Sequence, residues 1–220
     1  GTEPAVAAEA ASPGGLEGAV AGNWRTEAEK ARDQWRHPIE TLTFFGVKPS
    51  DTVVEIAPGG GWYTAILGPW LKSGGGKLYA GHVDPTTSAN AQANVDAYKA
   101  AFVDHPETYG DITLTVGSRA STGLAPDGTA DAVLTFRNVH NWMAGGYADK
   151  IFADAFRALK PGGVLAAVLY SGKVIGNAEK KAAAEFFRSL PLADYTVLIC
   201  EFANWADTAP LPCFVIKREK

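Results

Sequence analysis

A cluster of polar side chains follows an apolar run near the middle of the chain. Residues 131–136 read DAVLTF, and Arg137, Asn138, His140 and Asn141 come directly after them. Polar groups at the end of a buried strand are costly unless they meet a ligand or one another. Histidine side chains in general exchange protons near neutral pH, and His140 is the candidate general base. The alternative is a structural histidine that bonds a nearby carbonyl.

A glycine triplet forms the second candidate site. Residues 59–61 follow the β-branched run of residues 52–56 and precede an apolar segment. A strand that turns through glycines into a helix lets a ligand approach the backbone and the free N–H groups of the helix N-terminus. A simple tight turn is the alternative. The dinucleotide pattern GxGxxG requires a glycine where this chain has Thr64, and no Walker sequence follows.

Strand and helix patterns alternate along the chain and indicate the elements that hold these sites. Five apolar runs, separated by helical patterns, predict strands at residues 52–57, 77–83, 112–117, 131–136 and 163–170. Two further runs, at residues 195–202 and 213–218, have no helix between them and predict an antiparallel hairpin. Apolar strands separated by helices are typical of a parallel sheet covered on both faces. We therefore expect an α/β fold with a doubly wound, mostly parallel seven-stranded sheet and an antiparallel C-terminal hairpin.

The N-terminal region differs in composition from the rest. The Ala-, Gly- and Pro-rich residues 1–22 predict a mobile leader, and residues 23–220 predict a single domain. Within that domain, residues 23–46 predict a cap of short helices that breaks at His37-Pro38. The chain begins without a methionine, so we expect that an upstream segment, such as an export signal, was removed.

The composition argues against several function classes. Lys and Arg total 20 against 24 Asp and Glu, the net charge is −4, and no basic run appears, so we expect no nucleic-acid partner. The longest apolar stretch, residues 164–170, is too short to span a bilayer, and we expect no membrane insertion. Cys200 and Cys213 are not spaced as metal ligands, and no metal site is expected. They are two inert thiols, or a disulfide if the last hairpin turns at residues 206–207 and places them opposite each other.

Four segments in register resemble the class I S-adenosylmethionine-dependent methyltransferases. EIAPGGG resembles their motif I, an acidic residue followed by GxGxG, with Ala57 replacing the first glycine. GKLYAGHVDP resembles their second strand, DGTADAVLTFRNVHNW their fourth strand and active-site segment, and LKPGGVL the turn into their fifth strand. RHPIETLTFFGVKP, IAPGGGWYT and FRNVHNW together also resemble a group of bacterial predicted methyltransferases that often carry export signals. The resemblance covers the chain from about residue 52 to the C-terminus.

The resemblance implies a Rossmann-like methyltransferase fold, S-adenosylmethionine as cofactor and a small-molecule acceptor. The residues that it implies are Glu55, Ala57, Pro58, Gly59, Gly61, Tyr63, Asp84, Ser118 and Arg137 for the cofactor, His140 and Asn138 for catalysis, and Arg36, His37 and Trp142 for the substrate. It also implies a periplasmic or otherwise exported protein, with a cytoplasmic one as the alternative.

Several of these assignments leave alternatives open. The second strand ends at His82, where the family has a carboxylate for the ribose hydroxyls, and Asp84 follows two residues later. Asp84 either contacts the ribose or only begins a turn. Arg36 and His37 fold over the pocket, or are a surface arginine and a helix-ending histidine. A non-catalytic nucleoside-binding protein on the same fold is the second functional hypothesis, and an NAD-dependent oxidoreductase is the third.

Overall fold

The computed structural model describes residues 14–169, 178–201, 203–204, 206 and 209–219, and a seven-stranded sheet lies at its centre. The strands are β1 Thr52–Ile56, β2 Lys77–His82, β3 Ile112–Val116, β4 Ala130–Phe136, β5 Leu159–Leu169, β6 Tyr195–Ile199 and β7 Leu211–Lys217. Their order across the sheet is β3-β2-β1-β4-β5-β7-β6. The first five strands pair in parallel, and β7 runs antiparallel to both β5 and β6. The predicted α/β fold class, with its mostly parallel sheet and antiparallel C-terminal hairpin, is confirmed.

Helices cover both faces of this sheet. In the described part of the chain the α-helices are α1 Gly15–Ala21, α2 Glu27–Lys30, α3 Asp33–Arg36, α4 Pro38–Phe44, α5 Thr64–Gly74, α6 Ala89–Tyr98, α7 Pro106–Tyr109, α8 Val139–Ala144, α9 Ala148–Ala158 and α10 Ala178–Ser189, and a π-helical turn, Lys99–Val103, follows α6. Val53 of β1 packs in the core that contains residues of α1 and α4 to α7, whereas Val54 packs with α8, α9 and α10. Successive strand residues thus face opposite layers, which explains the continuous apolar run of β1. Among the described residues, no helix combines the length and apolarity needed to cross a bilayer.

Helix α5 continues past a proline. The sequence predicts a helix over residues 62–71 that is disturbed at its end by Pro69, whereas Pro69 lies inside α5. Proline has no N–H, so the carbonyl oxygen of Ala65, four residues earlier, lacks its helical donor. The indole Nε1 of Trp24 donates a hydrogen bond to that oxygen at 2.8 Å. A side chain from the N-terminal region therefore replaces the missing donor.

The N-terminal region differs from the predicted leader. Within residues 1–22, α1 buries Leu16, Ala19 and Val20 in the core beside α5. The i, i+3, i+4 spacing of these residues places them on one helix face. The prediction of a mobile leader is therefore wrong for α1, and residues 1–13 lie outside the described residues.

The short helices α2, α3 and α4 occupy the predicted cap. Helix α3 ends at Arg36 and α4 begins at Pro38, so the predicted break at His37-Pro38 is confirmed. His37 itself has a left-handed φ of 42°. The buried guanidinium of Arg25 binds both carboxylate oxygens of Asp33, at 2.9 and 2.7 Å, and so ties the chain before α2 to α3.

The C-terminal hairpin determines how the two cysteines lie. Ile199 stands opposite Cys213 in the β6–β7 pair, one residue away from the register that would place Cys200 there. The backbone N–H of Cys200 donates instead to the carbonyl oxygen of Pro212 at 2.9 Å. The disulfide alternative is therefore wrong, and both thiols are free. Burial raises the pKa of the Cys213 thiol to about 12, as expected for an inert cysteine.

Candidate functional site

A cavity of about 690 Å³ opens at the carboxyl ends of β1, β2 and β3, beside the exit of β4. Open α/β sheets bind ligands at this edge, and ligand sites have volumes of roughly 300–1,000 Å³. We call it the glycine cavity. Its lining residues are Ala57, Gly59, Gly60, His82, Val83, Asn94, Ala97, Tyr98, Ala101, Phe102, Gly117, Ser118, Asn138, Asn141, Trp142 and Tyr147.

The glycine loop leaves part of the cavity wall open. A Cβ atom on Gly59, which has a left-handed φ of 59°, or on Gly60 would meet no atom within 4 Å. Gly61 also has a left-handed φ, 79°, but a Cβ atom there would lie 2.2 Å from the ring of Phe102. Gly59 and Gly60 therefore let a ligand approach the backbone, whereas Gly61 lets the loop pack against Phe102.

Glu55 lies beneath the loop and not in the cavity. It is 3% exposed, and its Oε2 accepts a hydrogen bond from Thr64 Oγ1 at 2.7 Å. The Tyr98 hydroxyl lies 2.9 Å from the same Oγ1. Burial raises the pKa of Glu55 to about 7, although the Thr64 hydrogen bond opposes this. Burial also raises the pKa of Tyr98. The three side chains tie the end of β1 to α5 and α6.

His82 stands at the end of β2 and holds the glycine loop. Its Nδ1 accepts the backbone N–H of Val83 at 2.9 Å, and its Nε2 lies 3.3 Å from the carbonyl oxygen of Gly59. Because Nδ1 accepts, Nε2 carries the proton and donates to Gly59 in the neutral imidazole. Burial lowers the pKa of His82, while the contact with Gly59 opposes that shift.

Asp84 begins a turn, as one of its two alternatives predicts. Its Oδ1 accepts hydrogen bonds from the backbone N–H of Thr86 at 2.9 Å and from Thr86 Oγ1 at 2.7 Å. These hydrogen bonds lower the pKa of Asp84. Asp84 is not among the residues that line the glycine cavity.

Asn138 joins the exit of β4 to the end of β1. Its Nδ2 donates to the carbonyl oxygens of Ile56 at 3.3 Å and Ala57 at 3.4 Å. The same nitrogen lies 3.2 Å from Thr135 Oγ1, inside β4. One amide therefore fixes the two strand exits against each other at the mouth of the glycine cavity.

A second cavity, of about 570 Å³, lies on the other side of the β4 exit, against α3, α4 and the neighbouring ends of β5 and β7. We call it the arginine cavity. Its described lining residues are Arg32, Trp35, Arg36, His37, Thr41, Phe44, Phe45, Tyr63, Phe136, Arg137, Val168, Pro210 and Pro212.

The β4 exit borders both cavities. Phe136 and Arg137 line the arginine cavity, and the next residue, Asn138, lines the glycine cavity. Tyr63 stacks on Phe136 with ring centroids 3.7 Å apart and planes at 11°. The start of α5, which follows the glycine loop, is thus packed against the end of β4.

Backbone strain concentrates around both cavities. In the described chain, the non-glycine residues with left-handed φ are His37 at 42°, Ala57 at 55° and Arg137 at 63°. Ala57 lines the glycine cavity, and His37 and Arg137 line the arginine cavity. Such conformations cost about 1–3 kcal/mol each and are typical of functional sites.

Trp62 connects the N-terminal helices to the glycine loop. Its Nε1 donates to the carbonyl oxygen of Glu29 at 3.0 Å. The guanidinium groups of Arg25 and Arg36 lie 5.0 and 4.5 Å from its ring centroid, within the range of cation–π contacts. Arg36, on the wall of the arginine cavity, is therefore held by the residue that follows Gly61.

The structure divides the predicted site residues into three groups. Ala57, Gly59, Ser118, Asn138 and Trp142 line the glycine cavity. Arg36, His37, Tyr63 and Arg137 line the arginine cavity. Glu55, Pro58, Gly61, Asp84 and His140 line neither of the two. Among the described residues, no three His, Cys, Asp or Glu side chains form a group that could hold a metal ion.

Three residues line a different cavity from most of the residues with which they were predicted. Tyr63 and Arg137, predicted to bind the cofactor, line the arginine cavity because Tyr63 stacks on Phe136 and the left-handed backbone of Arg137 redirects the chain. Trp142, predicted for the substrate, lines the glycine cavity and is 2% exposed against Phe152. His140 is half-buried in the first turn of α8, and its role as general base stays a prediction.

Other lining residues were missing from the prediction. Gly60 and Tyr147 line the glycine cavity, and Arg32 and Trp35 line the arginine cavity. Arg32 and Trp35 precede Arg36 by four residues and one, and four-residue spacing brings side chains together on a helix. That spacing was the available signal. The orientation of Tyr147 depends on a loop, and no sequence signal indicated it.

Family models locate this site within a known family. The model described as "Methyltransferase domain" matches residues 54–167, just over half of the chain, and this range contains the glycine loop, His82 and the β4 exit. A model described as "Putative rRNA methylase" matches residues 150–216. No curated protein matches the sequence.

Solved structures share the fold. The "putative rRNA-methylase" of Clostridium thermocellum is 22% identical with a TM-score of 0.61, over 84% of this chain and 96% of that one. The SAM-dependent methyltransferase of Aquifex aeolicus is 17% identical with a TM-score of 0.54, over 82% and 89%. The glycopeptide N-methyltransferase MtfA, complexed with S-adenosyl-L-homocysteine, is 16% identical with a TM-score of 0.55, over 82% and 88%. With its glycine loop at the strand ends of this fold, the chain belongs to the methyltransferase-domain family, as a class I S-adenosylmethionine-dependent methyltransferase.

Proposed function

We propose that this chain transfers the methyl group of S-adenosylmethionine to a small molecule bound in the arginine cavity. The border that the two cavities share at the β4 exit carries the proposal, because Phe136 and Arg137 line one cavity and Asn138 lines the other. Methyl transfer is an in-line displacement, which needs donor and acceptor on opposite sides of one short gap. The volume of about 570 Å³ supports a small-molecule acceptor.

The glycine cavity fits the cofactor. Side chains at Gly59 and Gly60 would project into open space, so these glycines leave room for a ligand against the backbone. S-adenosylmethionine supplies a methyl group already activated on a sulfonium. Ser118 is the polar side chain that we assign to hold it, and His82, which stands where the family has its ribose carboxylate, holds the Gly59 carbonyl of the loop. Asn138 is a positioning residue that holds the Ile56 and Ala57 carbonyls in place.

We propose that His37 is the general base that removes a proton from the acceptor, where the acceptor must lose one. Its imidazole lines the arginine cavity, and its Nδ1 lies 3.8 Å from Glu40 Oε1. A general base has to reach the proton that it removes, so a histidine that lines the acceptor cavity is preferred to one that does not. His140, the base predicted from the sequence, lines neither cavity and is the competing candidate.

Calorimetric titration with S-adenosylmethionine, S-adenosylhomocysteine and NAD tests the cofactor site. We expect micromolar binding of the first two and none of NAD. Binding of NAD alone would favour an oxidoreductase. Binding of the cofactor without methyl transfer to any acceptor would favour the non-catalytic nucleoside-binding protein.

A nucleic-acid acceptor is the competing outcome for the transfer step. A partial match to the "Putative rRNA methylase" model favours it, and the net charge of −4 opposes it. Labelled S-adenosylmethionine should be offered with a small-molecule cell extract and, separately, with ribosomal RNA. We expect label in the small-molecule fraction, and label only in the RNA would contradict the proposal.

Export remains part of the proposal. It is supported by the resemblance to a group of predicted methyltransferases that often carry export signals. Fractionation of the producing cells tests it, and recovery of the protein from the cytoplasm alone would contradict it.

A further inference from the structure

We infer that Asn94 of α6 is the side chain that recognises the ribose hydroxyls of the cofactor, in place of a carboxylate at the end of β2. The inference rests on the proposed function, because it takes the glycine cavity as the cofactor site. Three features carry it: the absence of acids from the cavity wall, the hydrogen bonds already made beside β2, and the face that α6 turns to the cavity.

The described lining residues of the glycine cavity include no Asp or Glu. The acids at the ends of β1 and β2 are engaged elsewhere, since Glu55 bonds Thr64 beneath the loop and Asp84 caps the turn after β2. On α6, Asp96 accepts a hydrogen bond from Gln92 at 2.8 Å and does not line the cavity. A ribose bound here therefore has to bond neutral side chains or the backbone.

The end of β2 is where a ribose is expected. In nucleoside-binding α/β folds, a carboxylate about 20 residues beyond the glycine loop bonds the ribose hydroxyls. At that distance from Gly61 this chain has His82, the last residue of β2. Both ring nitrogens of His82 meet backbone groups, so the imidazole is not available to the ribose.

Of the other polar side chains on this side of the cavity, one is available. Asn94 and Tyr98, both on α6, line the cavity beside His82. Tyr98 is 2% exposed, and its hydroxyl lies 2.9 Å from Thr64 Oγ1. Asn94 is exposed, and within the described part of the chain its side chain makes no hydrogen bond. Its amide therefore keeps an acceptor oxygen and two N–H donors for a ligand.

Helix α6 turns one face to the cavity. Asn94, Ala97 and Tyr98 of α6 line it, together with Ala101 of the π-helical turn that follows. Residues three and four apart lie on the same side of a helix. Ala97 and Ala101 are small and exposed, so they leave room between α6 and the strand ends. The ring of Tyr98 lies 5.1 Å from that of His82, and Asn94 lies one turn earlier on α6, beside the end of β2.

A side-chain amide suits two neighbouring hydroxyls. The Oδ1 atom of Asn94 can accept a hydrogen bond from one hydroxyl while Nδ2 donates to the other. These are hydrogen bonds between neutral groups, and they are weaker than those of a carboxylate. We therefore expect the two hydroxyls together to contribute about tenfold to cofactor affinity.

Two ligands test this inference. They are S-adenosylhomocysteine and its dideoxy analogue, whose ribose lacks both hydroxyls, and calorimetry gives their dissociation constants. The wild type should bind the analogue about tenfold more weakly than S-adenosylhomocysteine. Asn94→Ala should bind S-adenosylhomocysteine about tenfold more weakly than the wild type does, but the analogue within about twofold. The loss then depends on the hydroxyls, which distinguishes a direct contact from a general change of fit.

Two further variants serve as rescue and control. Asn94→Asp should bind S-adenosylhomocysteine at least as tightly as the wild type, because a carboxylate can accept hydrogen bonds from both hydroxyls. Asn90→Ala is the matched control, since Asn90 lies on the same helix one turn earlier, is exposed and lines neither cavity. Alanine is the better helix former at both positions, so both alanine variants should fold.

Four results would overturn the inference while the wild type still binds S-adenosylmethionine. They are unchanged affinity for S-adenosylhomocysteine in Asn94→Ala, an equal loss for both ligands in that variant, an equal loss in Asn90→Ala, and an equal loss in Asn94→Asp. A wild-type protein that binds neither S-adenosylmethionine nor S-adenosylhomocysteine would contradict the proposed function instead. The two failures are therefore distinguishable.

Discussion

Gly61 packs directly against Phe102, since a Cβ atom on Gly61 would lie 2.2 Å from the Phe102 ring. Its neighbour Gly60 has no atom within 4 Å of such a Cβ, and its φ is outside the left-handed region. Adjacent glycines of one loop thus have different tasks. Gly61 serves internal packing, and Gly60 borders the space that we assign to the cofactor.

Gly60→Val should weaken S-adenosylmethionine binding by at least about tenfold, because its side chain would occupy the glycine cavity without straining the backbone. The free energy of unfolding should stay near that of the wild type. Calorimetry and urea unfolding measure the two quantities. Gly14→Val is the control, since Gly14 also has open surroundings but lines neither cavity. Unchanged affinity in Gly60→Val would exclude this side of the loop as the cofactor site.

Gly61→Ala should lower the free energy of unfolding by about 1–3 kcal/mol, because the new methyl group has no space beside Phe102. Phe102→Leu in the same chain should recover part of the loss. A double-mutant cycle of urea unfolding curves measures that coupling. If Gly61→Ala is as stable as the wild type and loses only cofactor affinity, Gly61 belongs to the ligand approach after all.

The fold was predictable from local patterns, and the exceptions depend on distant partners. Apolar runs separated by helical patterns predicted the sheet, because each strand is buried on both faces. The continuation of α5 past Pro69 was not predictable, since its replacement donor is Trp24. The register of the last hairpin depends on its turn, and one residue there separated Cys200 from Cys213.

The sequence predicted the location of the candidate site well, but it predicted less well which of the two cavities each residue lines. The glycine loop and the β4 exit follow apolar strands, so the sequence indicated both. Which cavity Tyr63 or Arg137 would line depends on the stack with Phe136 and on a strained φ, and neither leaves a local pattern. The four-residue spacing of Arg32 and Arg36 predicts that they lie side by side. That both line a cavity depends on how the short N-terminal helices pack, which the spacing does not show.

Asp84→Asn should leave S-adenosylmethionine affinity within about twofold of the wild type, because an asparagine oxygen can accept the same hydrogen bonds from Thr86. His82→Phe should weaken that affinity about tenfold, since it keeps the ring beside Tyr98 but removes the donor to Gly59. Calorimetry compares the two variants. A larger loss in Asp84→Asn than in His82→Phe would restore the ribose contact to Asp84.

Glu55 should make the protein less stable as pH rises from about 4.5 to about 7. Burial raises its pKa in the folded chain from 4.5 to about 7, so in this range the unfolded chain loses a proton that the folded chain keeps. The free energy of unfolding then falls with pH, by about 3 kcal/mol in total. Glu55→Gln lacks this loss and should be the more stable protein above pH 7.

Urea unfolding of wild type and Glu55→Gln at both ends of that range measures the effect. His82 acts in the opposite direction, because burial lowers its pKa and its contribution to stability rises with pH up to its ordinary value. Since both proteins contain His82, its effect cancels in the comparison. An equal pH dependence of the two proteins would contradict the raised pKa of Glu55.

The choice between His37 and His140 as proton acceptor can be made with three matched variants. His37→Asn, His140→Asn and His105→Asn each remove an imidazole, and asparagine tolerates the left-handed φ of His37. His105 is the control, because it is exposed and pairs with Glu107 at 3.0 Å, as His37 pairs with Glu40, but it lines neither cavity.

We expect His37→Asn to lower turnover about a hundredfold, the usual scale for one acid–base group, with cofactor affinity unchanged. The loss should shrink as pH rises, because an acceptor that ionises in solution needs no base. Turnover and calorimetric affinity are measured on the same samples once an acceptor is identified. If His140→Asn shows that split and His37→Asn does not, the base lies in the first turn of α8 and the arginine cavity only binds the acceptor. Parallel losses of affinity and turnover in His37→Asn would make His37 a residue that supports the cap and not one that takes the proton.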